Sequence, residues 1–292
     1  MFIGLALIAL FGMTGCPNAA KPEEPPAPPE YTTVSFDKLA DYLQKLPEGT
    51  ATHYIEVTGL KKEHLKNSPG HIHGTRPLGA ILNDNPTKKV ALKLGGGITG
   101  LTDMSHCFAG CKNLVSAAAI PKGVTNMGAC FENCTSLKQA PVIPEGVTNM
   151  EACFRGCTSL TKAPEIPNSV TDMKHCFNGC TALKQVPSIS NTVTNMNECF
   201  SDCTNLTTVP SIPAAVTNMQ GCFARCTKLT SVTLKCNYNP AQLQGNPAFG
   251  NAFVDCTELK AGSIKVPSNQ VDAYKAGADD MGTEQDRFVA AP

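Results

Sequence analysis

Tryptophan is absent from this 292-residue chain, and neither sign of charge is in surplus: 24 Lys and Arg stand against 24 Asp and Glu. No Lys/Arg cluster stands out. Nucleic-acid binding rests on a basic surface that displaces counterions. Neutrality therefore excludes a nucleic-acid partner, and it excludes a polybasic membrane patch as well. The chain also carries no nucleophile elbow, no HExxH, no Walker loop and no recurrent carboxylate pair. It reads as non-enzymatic and without a cofactor. Phe2 to Met13 is an apolar run of twelve residues. That is short of the roughly 20 a membrane-spanning helix needs.

What is present is a repeat with a period of 23 residues: CFAGC at 107, CFENC at 130, CFRGC at 153, CFNGC at 176, CFSDC at 199 and CFARC at 222. Such a period marks a solenoid in which each unit contacts only its neighbours. The apolar positions fall into columns, with Val124, Met127, Phe131, Leu137 and Ile143 as one example of each. One repeat alone cannot bury them; stacked repeats can, at about 4.8 Å where strands pair. Val-Thr-Asn-Met reads as a strand. Cys-Phe-x-x-Cys reads as a single helical turn with its cysteines at i and i+4 on one face. Pro141, Pro164, Pro187 and Pro210 recur at one position and cannot donate to a ladder. That segment is either extended and partly paired, or a short strand ending at the proline. Asn126, Asn149, Asn195 and Asn218, with Asp103 and Asp172, form a polar column suited to satisfying backbone groups at a turn.

The apolar run before residue 15 fits the core of an export signal. It ends in Met13-Thr14-Gly15-Cys16, which resembles a bacterial lipobox. The resemblance implies cleavage before Cys16 and a lipid anchor on it. Met13 stands where Leu is commoner, and no Lys or Arg precedes the run. An ordinary cleaved signal with an incidental Cys16 is the alternative. Residues 16–30 hold prolines at 17, 22, 25, 26, 28 and 29. Such a stretch favours extended polyproline II and reaches roughly 40 Å as a tether. The expected organisation is thus a signal over 1–15, anchor and tether over 16–30, a helix–strand cap over 31–94, the solenoid over 95–260, and a C-terminal cap and tail over 261–292.

In the N-terminal cap, Phe36, Leu39 and Leu43 share a helical face and His53–Thr58 alternates like a strand. Leu78–Leu82 reads as a short helix and Lys89–Leu94 as a second strand. His53, His64, His71 and His73 fall here. The 71/73 pair could bind a metal if a third ligand converged; a polar loop is the structural reading, and no metal is assigned. Gly95 to Gly100 spells G-x-G-x-x-G, but neither the following helix nor the acidic residue of a dinucleotide fold is present. It reads as a turn.

The frame Val-Thr-x-Met, Cys-Phe, Cys-Thr-x-Leu resembles the BspA-like leucine-rich repeats of bacterial surface lipoproteins, whose usual form is Ala-Phe followed by Cys and Leu. Ala252-Phe253, Cys256 and Leu259 keep that form. The tail, Ile264–Pro267 and Val271–Tyr274, is similar to the family's closing strand and capping helix. The resemblance implies a leucine-rich-repeat solenoid of short strands and single helical turns, capped at both ends. It also implies attachment to host extracellular matrix and to other bacteria.

Of the fifteen cysteines, twelve form the six repeat pairs: Cys107 and Cys111, Cys130 and Cys134, Cys153 and Cys157, Cys176 and Cys180, Cys199 and Cys203, Cys222 and Cys226. Cys236 and Cys256 are left over and could be partners. Buried thiols, disulfides and zinc sites are three readings of this array. Nothing electropositive recurs beside the pairs to make them redox-active.

Two variable columns are candidates for a partner-binding face. One precedes each first cysteine and includes His106, Glu151, Lys174, His175, Asn197, Glu198 and Gln220. The other follows each leucine and includes Lys138, Gln139, Lys162, Lys184 and Gln185. Both could equally be solvated faces, since neither carries the aromatic residues typical of binding hot spots. The leading expectation is a lipid-anchored envelope protein, at the outer membrane or cell surface, that binds a protein or matrix ligand by weak multivalent contacts. The alternatives are a periplasm-facing scaffold without an external ligand, and a thiol- or metal-binding protein.

Overall fold

The structure, a computed structural model, describes residues 29–66, 76–238 and 248–292. The signal, Cys16, most of the tether, His71 and His73 lie outside the described residues. The chain divides into two units, Met1–Glu30 and Tyr31–Pro292; the architecture below is that of the second.

Strands β1 (Thr32–Ser35), β2 (His53–Thr58), β3 (Val90–Leu94) and β4 (Leu114–Ala118) form a parallel sheet in chain order. Helix α1 (Phe36–Lys45) follows β1, and α2 (Leu78–Asn83) precedes β3. Strand β5 (Val232–Thr233), β6 (Ile264–Val266), α3 (Val271–Ala276) and β7 (Phe288–Ala290) close the chain, the three strands again parallel and in order. Chain order within a parallel sheet is what a solenoid dictates, because each unit returns to lie on the one before. Leu39 and Leu43 of α1 are buried, as the helical spacing requires. Strands β1 and β4 add to the two strands expected near the N-terminus. The glycines at 95–100 form no helix; Gly96 and Gly100 take positive φ.

Between the two sheets the ladder thins, and proline sets where. Ala118 occupies, in the first repeat, the place of Pro141, and there β4 is a full strand. Where Pro141, Pro164, Pro187 and Pro210 stand, pairing shrinks to single bridges such as Ser116 with Gln139, Lys162 with Gln185 and Thr208 with Ser231. Thr233 replaces the proline in the sixth repeat, and a strand returns as β5. The missing N–H accounts for the pattern. Of the two expectations for this segment, the extended and partly paired form is the one observed.

Two local expectations are corrected. Val-Thr-Asn-Met is not a strand: only the Asn/Asp residue pairs, through single bridges running from Asp103 to Asn218. Nor is Cys-Phe-x-x-Cys a helical turn. Ala129 (φ +51°) and Asn133 (φ +57°) are left-handed, and the bonds within the segment are i to i−3, as from Cys130 N to Met127 O and Cys134 N to Phe131 O, both 3.1 Å. The left-handed residues turn alternate N–H groups toward the next repeat. Met127 donates to Asn149 O (3.0 Å), Ala129 to Glu151 O (2.7 Å), Phe131 to Cys153 O (2.8 Å) and Asn133 to Arg155 O (2.6 Å). The intervening Gly128 N–H donates to Asn126 Oδ1 at 3.0 Å, which is the turn role expected of the Asn/Asp column. Every backbone N–H from 127 to 134 thus has a partner, as a buried segment requires. In a helix all N–H groups would point along the segment's own axis and none would reach the neighbouring repeat.

The Val, Met, Phe and Leu columns are buried throughout, and Ile189 joins Ile120, Ile143, Ile166 and Ile212 in the fifth. Phe108, Phe131, Phe154, Phe177, Phe200, Phe223 and Phe253 stack with ring centroids from 5.3 to 5.7 Å apart and planes within 15° of parallel. Each fully buried ring contributes about 1.5–3 kcal/mol, so the column is a principal source of cohesion between repeats.

Candidate interaction faces

The columns that precede each cysteine pair and lie between its two cysteines form a face whose charges are paired within the stack. Lys174 Nζ lies 3.3 Å from Glu151 Oε1. Arg155 lies 3.3 Å from Glu132, and Arg225 Nε lies 2.5 Å from Asp202 Oδ1. Each pair joins adjacent repeats. The Arg225 hydrogen bond holds the Asp202 carboxyl below the usual carboxylate range. His175 Nδ1 is 3.4 Å from Glu198 Oε2 but lacks hydrogen-bond geometry, so that nitrogen is buried without a hydrogen-bond partner. We read the contact as one of charge alone, effective when the imidazole is protonated. Asn197 is only 8 % exposed, and its amide donates to Gln220 O at 3.1 Å and to Gln220 Oε1 at 3.3 Å. Of the candidates here, His106 is exposed, while Glu151, Lys174, His175, Glu198 and Gln220 are half-buried. His106, His175 and Glu198 also hold left-handed backbone. This face serves inter-repeat contact first.

The second column is different. Lys138, Gln139, Lys162, Lys184 and Gln185 are all exposed. Their side chains make no ion pair or hydrogen bond among the described residues. Lys138, Gln139 and Lys162 rim a groove of roughly 530 Å3 lined by Ala140, Pro141, Val142, Ile143 and Pro164, with Glu145 and Glu165 also on its wall. It continues past Lys162 and Glu165 into a second hollow of roughly 430 Å3, rimmed by Lys184 and Gln185 and lined by Val186, Pro187, Val209 and Pro210. Val142 is 82 % exposed, far more than an isolated hydrophobic residue in the core columns. Sequence reading found the lysines and glutamines of this groove but not its apolar lining. The proline column was visible as a pairing defect. That the same defect opens a trough was not.

The cysteines are free and buried at all fourteen described positions. The second member of each pair after the first donates its thiol hydrogen to the phenylalanine carbonyl one repeat back: Cys134 to Phe108 O, Cys157 to Phe131 O and Cys180 to Phe154 O at 3.1 Å, Cys203 to Phe177 O at 3.2 Å and Cys226 to Phe200 O at 3.0 Å. Cys256 continues this column, donating to Phe223 O at 3.0 Å. Cys236 is elsewhere, against Met219 Sδ at 3.8 Å and Tyr274 Oη at 3.5 Å. The suggested pairing of Cys236 with Cys256 is therefore corrected: one belongs to the repeat column and the other to the C-terminal unit. Burial pushes every one of these thiols up, Cys111 and Cys256 to about 12, which removes the thiolate that reactivity or metal binding needs. No group of three His, Cys, Asp or Glu residues converges among the described residues. His64 is stacked on Phe36 at 3.8 Å, and its Nδ1 accepts from Lys61 N at 3.0 Å.

Parallel chain-order strands, a phenylalanine ladder and a repeated polar turn define a leucine-rich-repeat solenoid. Residues 101–186 and 150–274 match the BspA type leucine rich repeat region, in six copies. The chain belongs to that family. Among solved structures it is similar to a leucine-rich repeat protein of T. pallidum, at 22 % identity and a TM-score of 0.49 over 70 % of this chain and 87 % of that one. It is also similar to one from Bacteroides ovatus (21 %, 0.38, 62 % and 58 %). A leucine rich cell surface protein of Faecalibacterium prausnitzii matches at 15 %, 0.28, 83 % and 85 %. No curated protein matches.

Proposed function

We propose that this chain is a non-enzymatic protein of the bacterial envelope, exported and lipid-anchored at Cys16, that adheres to a protein or matrix ligand through the proline-lined groove. The observation that carries the reading is the contrast between the two faces. On one, lysine, arginine and glutamate neutralise each other between repeats. On the other, Lys138, Lys162 and Lys184 stand unpaired beside exposed Val142 and a row of prolines. Unpaired polar groups around an apolar trough are what a partner can cover without breaking existing contacts. The trough crosses several repeats, so an extended segment could engage it at successive points, each weakly. Residues 31–94 and 261–292 act as caps in this reading. The buried Leu39 and Leu43 at one end, and Tyr274 and Phe288 at the other, support that role.

The test is binding of the purified chain to immobilised fibronectin, laminin and collagen. Val142→Asp is compared with Glu151→Ala on the charge-paired face. Binding lost with the first substitution and kept with the second is the expected result. No binding by the unaltered chain to any matrix protein would leave adhesion without support. Location is tested separately, by protease digestion on intact and on ruptured cells. Digestion on intact cells is expected; protection until rupture would favour the periplasm-facing scaffold. Incorporation of labelled palmitate that disappears in Cys16→Ala would establish the anchor.

A further inference from the structure

The cysteine array has a consequence for how the molecule forms. Each repeat places its two sulfurs in separate columns with separate surroundings. The first, as in Cys130, Cys153 and Cys176, donates to no carbonyl, and Ala252 fills the same buried place in the last copy. The second, as in Cys157, reaches back to a phenylalanine carbonyl in the preceding repeat. That carbonyl also accepts the backbone N–H of the second cysteine in its own repeat, for example Cys134 N to Phe131 O at 3.1 Å. It is therefore the point where bonds within a repeat and bonds between repeats meet. A disulfide sulfur has no hydrogen to donate. It would also draw the two Cβ atoms of a pair to about 3.8 Å, turning the second sulfur away from the carbonyl and toward the first. One fold cannot hold both arrangements.

In the unfolded chain the balance is reversed. The cysteines of each pair are four residues apart, so the closing loop is short and its entropic cost small. Nothing there shields the thiols.

We infer that the repeat domain is a redox-gated fold, in which stacking tolerates no disulfide within a repeat pair and oxidation of the chain before stacking keeps it out of the native state. The chemistry is thiol–disulfide exchange with a small disulfide such as oxidised glutathione. Two protein thiols become one protein disulfide, and the small disulfide is reduced to two thiols that take up the two protons. Once the repeats are stacked the same oxidant finds no accessible thiolate. Solenoid stability is a sum over neighbouring interfaces. A single oxidised repeat therefore divides the stack in two. The gate would favour chains that fold faster than they are oxidised.

The experiment uses the full chain, denatured with reductant and then diluted into buffer containing either reductant or oxidised glutathione. Folded protein incubated with the same oxidised glutathione is the third sample. Circular dichroism reports folding, and alkylation with mass spectrometry counts thiols. The expected result is recovery in reductant, loss of recovery in oxidant, and no loss of fold or thiols in the prefolded sample. Adding reductant to the failed sample should restore folding. Equal recovery with and without oxidant, or protein disulfides in the natively folded chain, would overturn the inference. A variant with alanine at Cys107, Cys130, Cys153, Cys176, Cys199 and Cys222 removes every close pair and keeps the hydrogen-bonded column. It should refold in oxidant where the parent does not; if it folds in reductant but stays as oxidant-sensitive as the parent, the close pairs are not the gate. If it does not fold even in reductant, the parent's three samples decide alone.

Discussion

Gly79 lies directly against the carbonyl oxygen of Cys107: a Cβ built on Gly79 would meet that oxygen at 2.1 Å and its carbon at 3.3 Å. This contact joins two kinds of architecture. On one side is α2, a true helix; on the other is the first repeat, whose carbonyls along the turn have no preceding repeat to donate to them. Helix α2 takes that place. Asn83 Nδ2 donates to Ala109 O at 3.3 Å, and the Cys111 thiol donates to Gly79 O at 3.5 Å. The obstacle is backbone, so it cannot rotate away. Gly79→Ala should destabilise the chain by about 1–3 kcal/mol, the usual cost of overpacking. The urea midpoint should fall while the slope is unchanged. An unchanged midpoint would mean that α2 does not dock on the first repeat.

The effect of proline on the ladder is open to a test that does not rely on stability. Pro164→Thr copies the residue found at Thr233, where a strand persists. The new N–H adds a hydrogen bond worth roughly 0.5–1.5 kcal/mol. Losing the proline restores unfolded-chain entropy worth roughly 0.4–1 kcal/mol. The two nearly cancel, so the melting temperature should barely move. Amide exchange over residues 162–166 should slow. If exchange stays as fast as in the parent, the proline is not what limits pairing there.

The two cysteine columns should respond unequally to truncation. Cys157→Ala removes a thiol–carbonyl bond and leaves a small void, for a loss of about 1–2 kcal/mol. Cys153→Ala removes packing but no bond donated to a carbonyl, at a site type where Ala252 is already native. Its loss should be about 0.5–1 kcal/mol. Chemical denaturation of the two variants under reductant gives the comparison. Equal losses would show that the Cys157 hydrogen bond contributes nothing net.

These contrasts also show what the sequence could and could not convey. The Val, Met, Phe and Leu columns were legible because their period is fixed and their chemistry uniform. The turn between them was not. Two cysteines four apart look the same in a helical turn as in a segment interrupted by left-handed residues. At Gly110, Gly156 and Gly179 the left-handed position is announced by glycine, and at Asn133 and Asp202 by residues that tolerate it. At Ala129, Ala152, His175 and Glu198 the same conformation is imposed by bonds to the next repeat, and no residue type signals it. The groove was half legible. Lys138, Lys162 and Lys184 were identified from their variability. Val142 was not, because its exposure arises only once Pro141 has broken the ladder beside it.

Burial of so many thiols makes the fold sensitive to base. A cysteine in the unfolded chain loses its proton near pH 8.5. In the fold, burial raises the pKa, to about 12 for Cys111 and Cys256, and it pushes the others, such as Cys153, up as well. The folded state therefore binds more protons than the unfolded state across that window, and stability falls as pH rises. The contribution is fully present below the unfolded pKa and is lost progressively toward the folded one. At one pH unit above the unfolded pKa, each buried thiol favours unfolding by about 1.4 kcal/mol. A handful of them would match the roughly 5–15 kcal/mol that holds a domain together. The protein should therefore unfold cooperatively on mild alkalisation, under reductant, well before its lysines titrate. Replacing Cys153, Cys176 and Cys199 by alanine should move that transition to higher pH even though it lowers stability at neutral pH. A fold that persists beyond pH 10.5 with its thiols intact would mean that the cysteines are not buried in the way described. A transition that did not move in the alanine variant would assign the alkaline sensitivity to other groups.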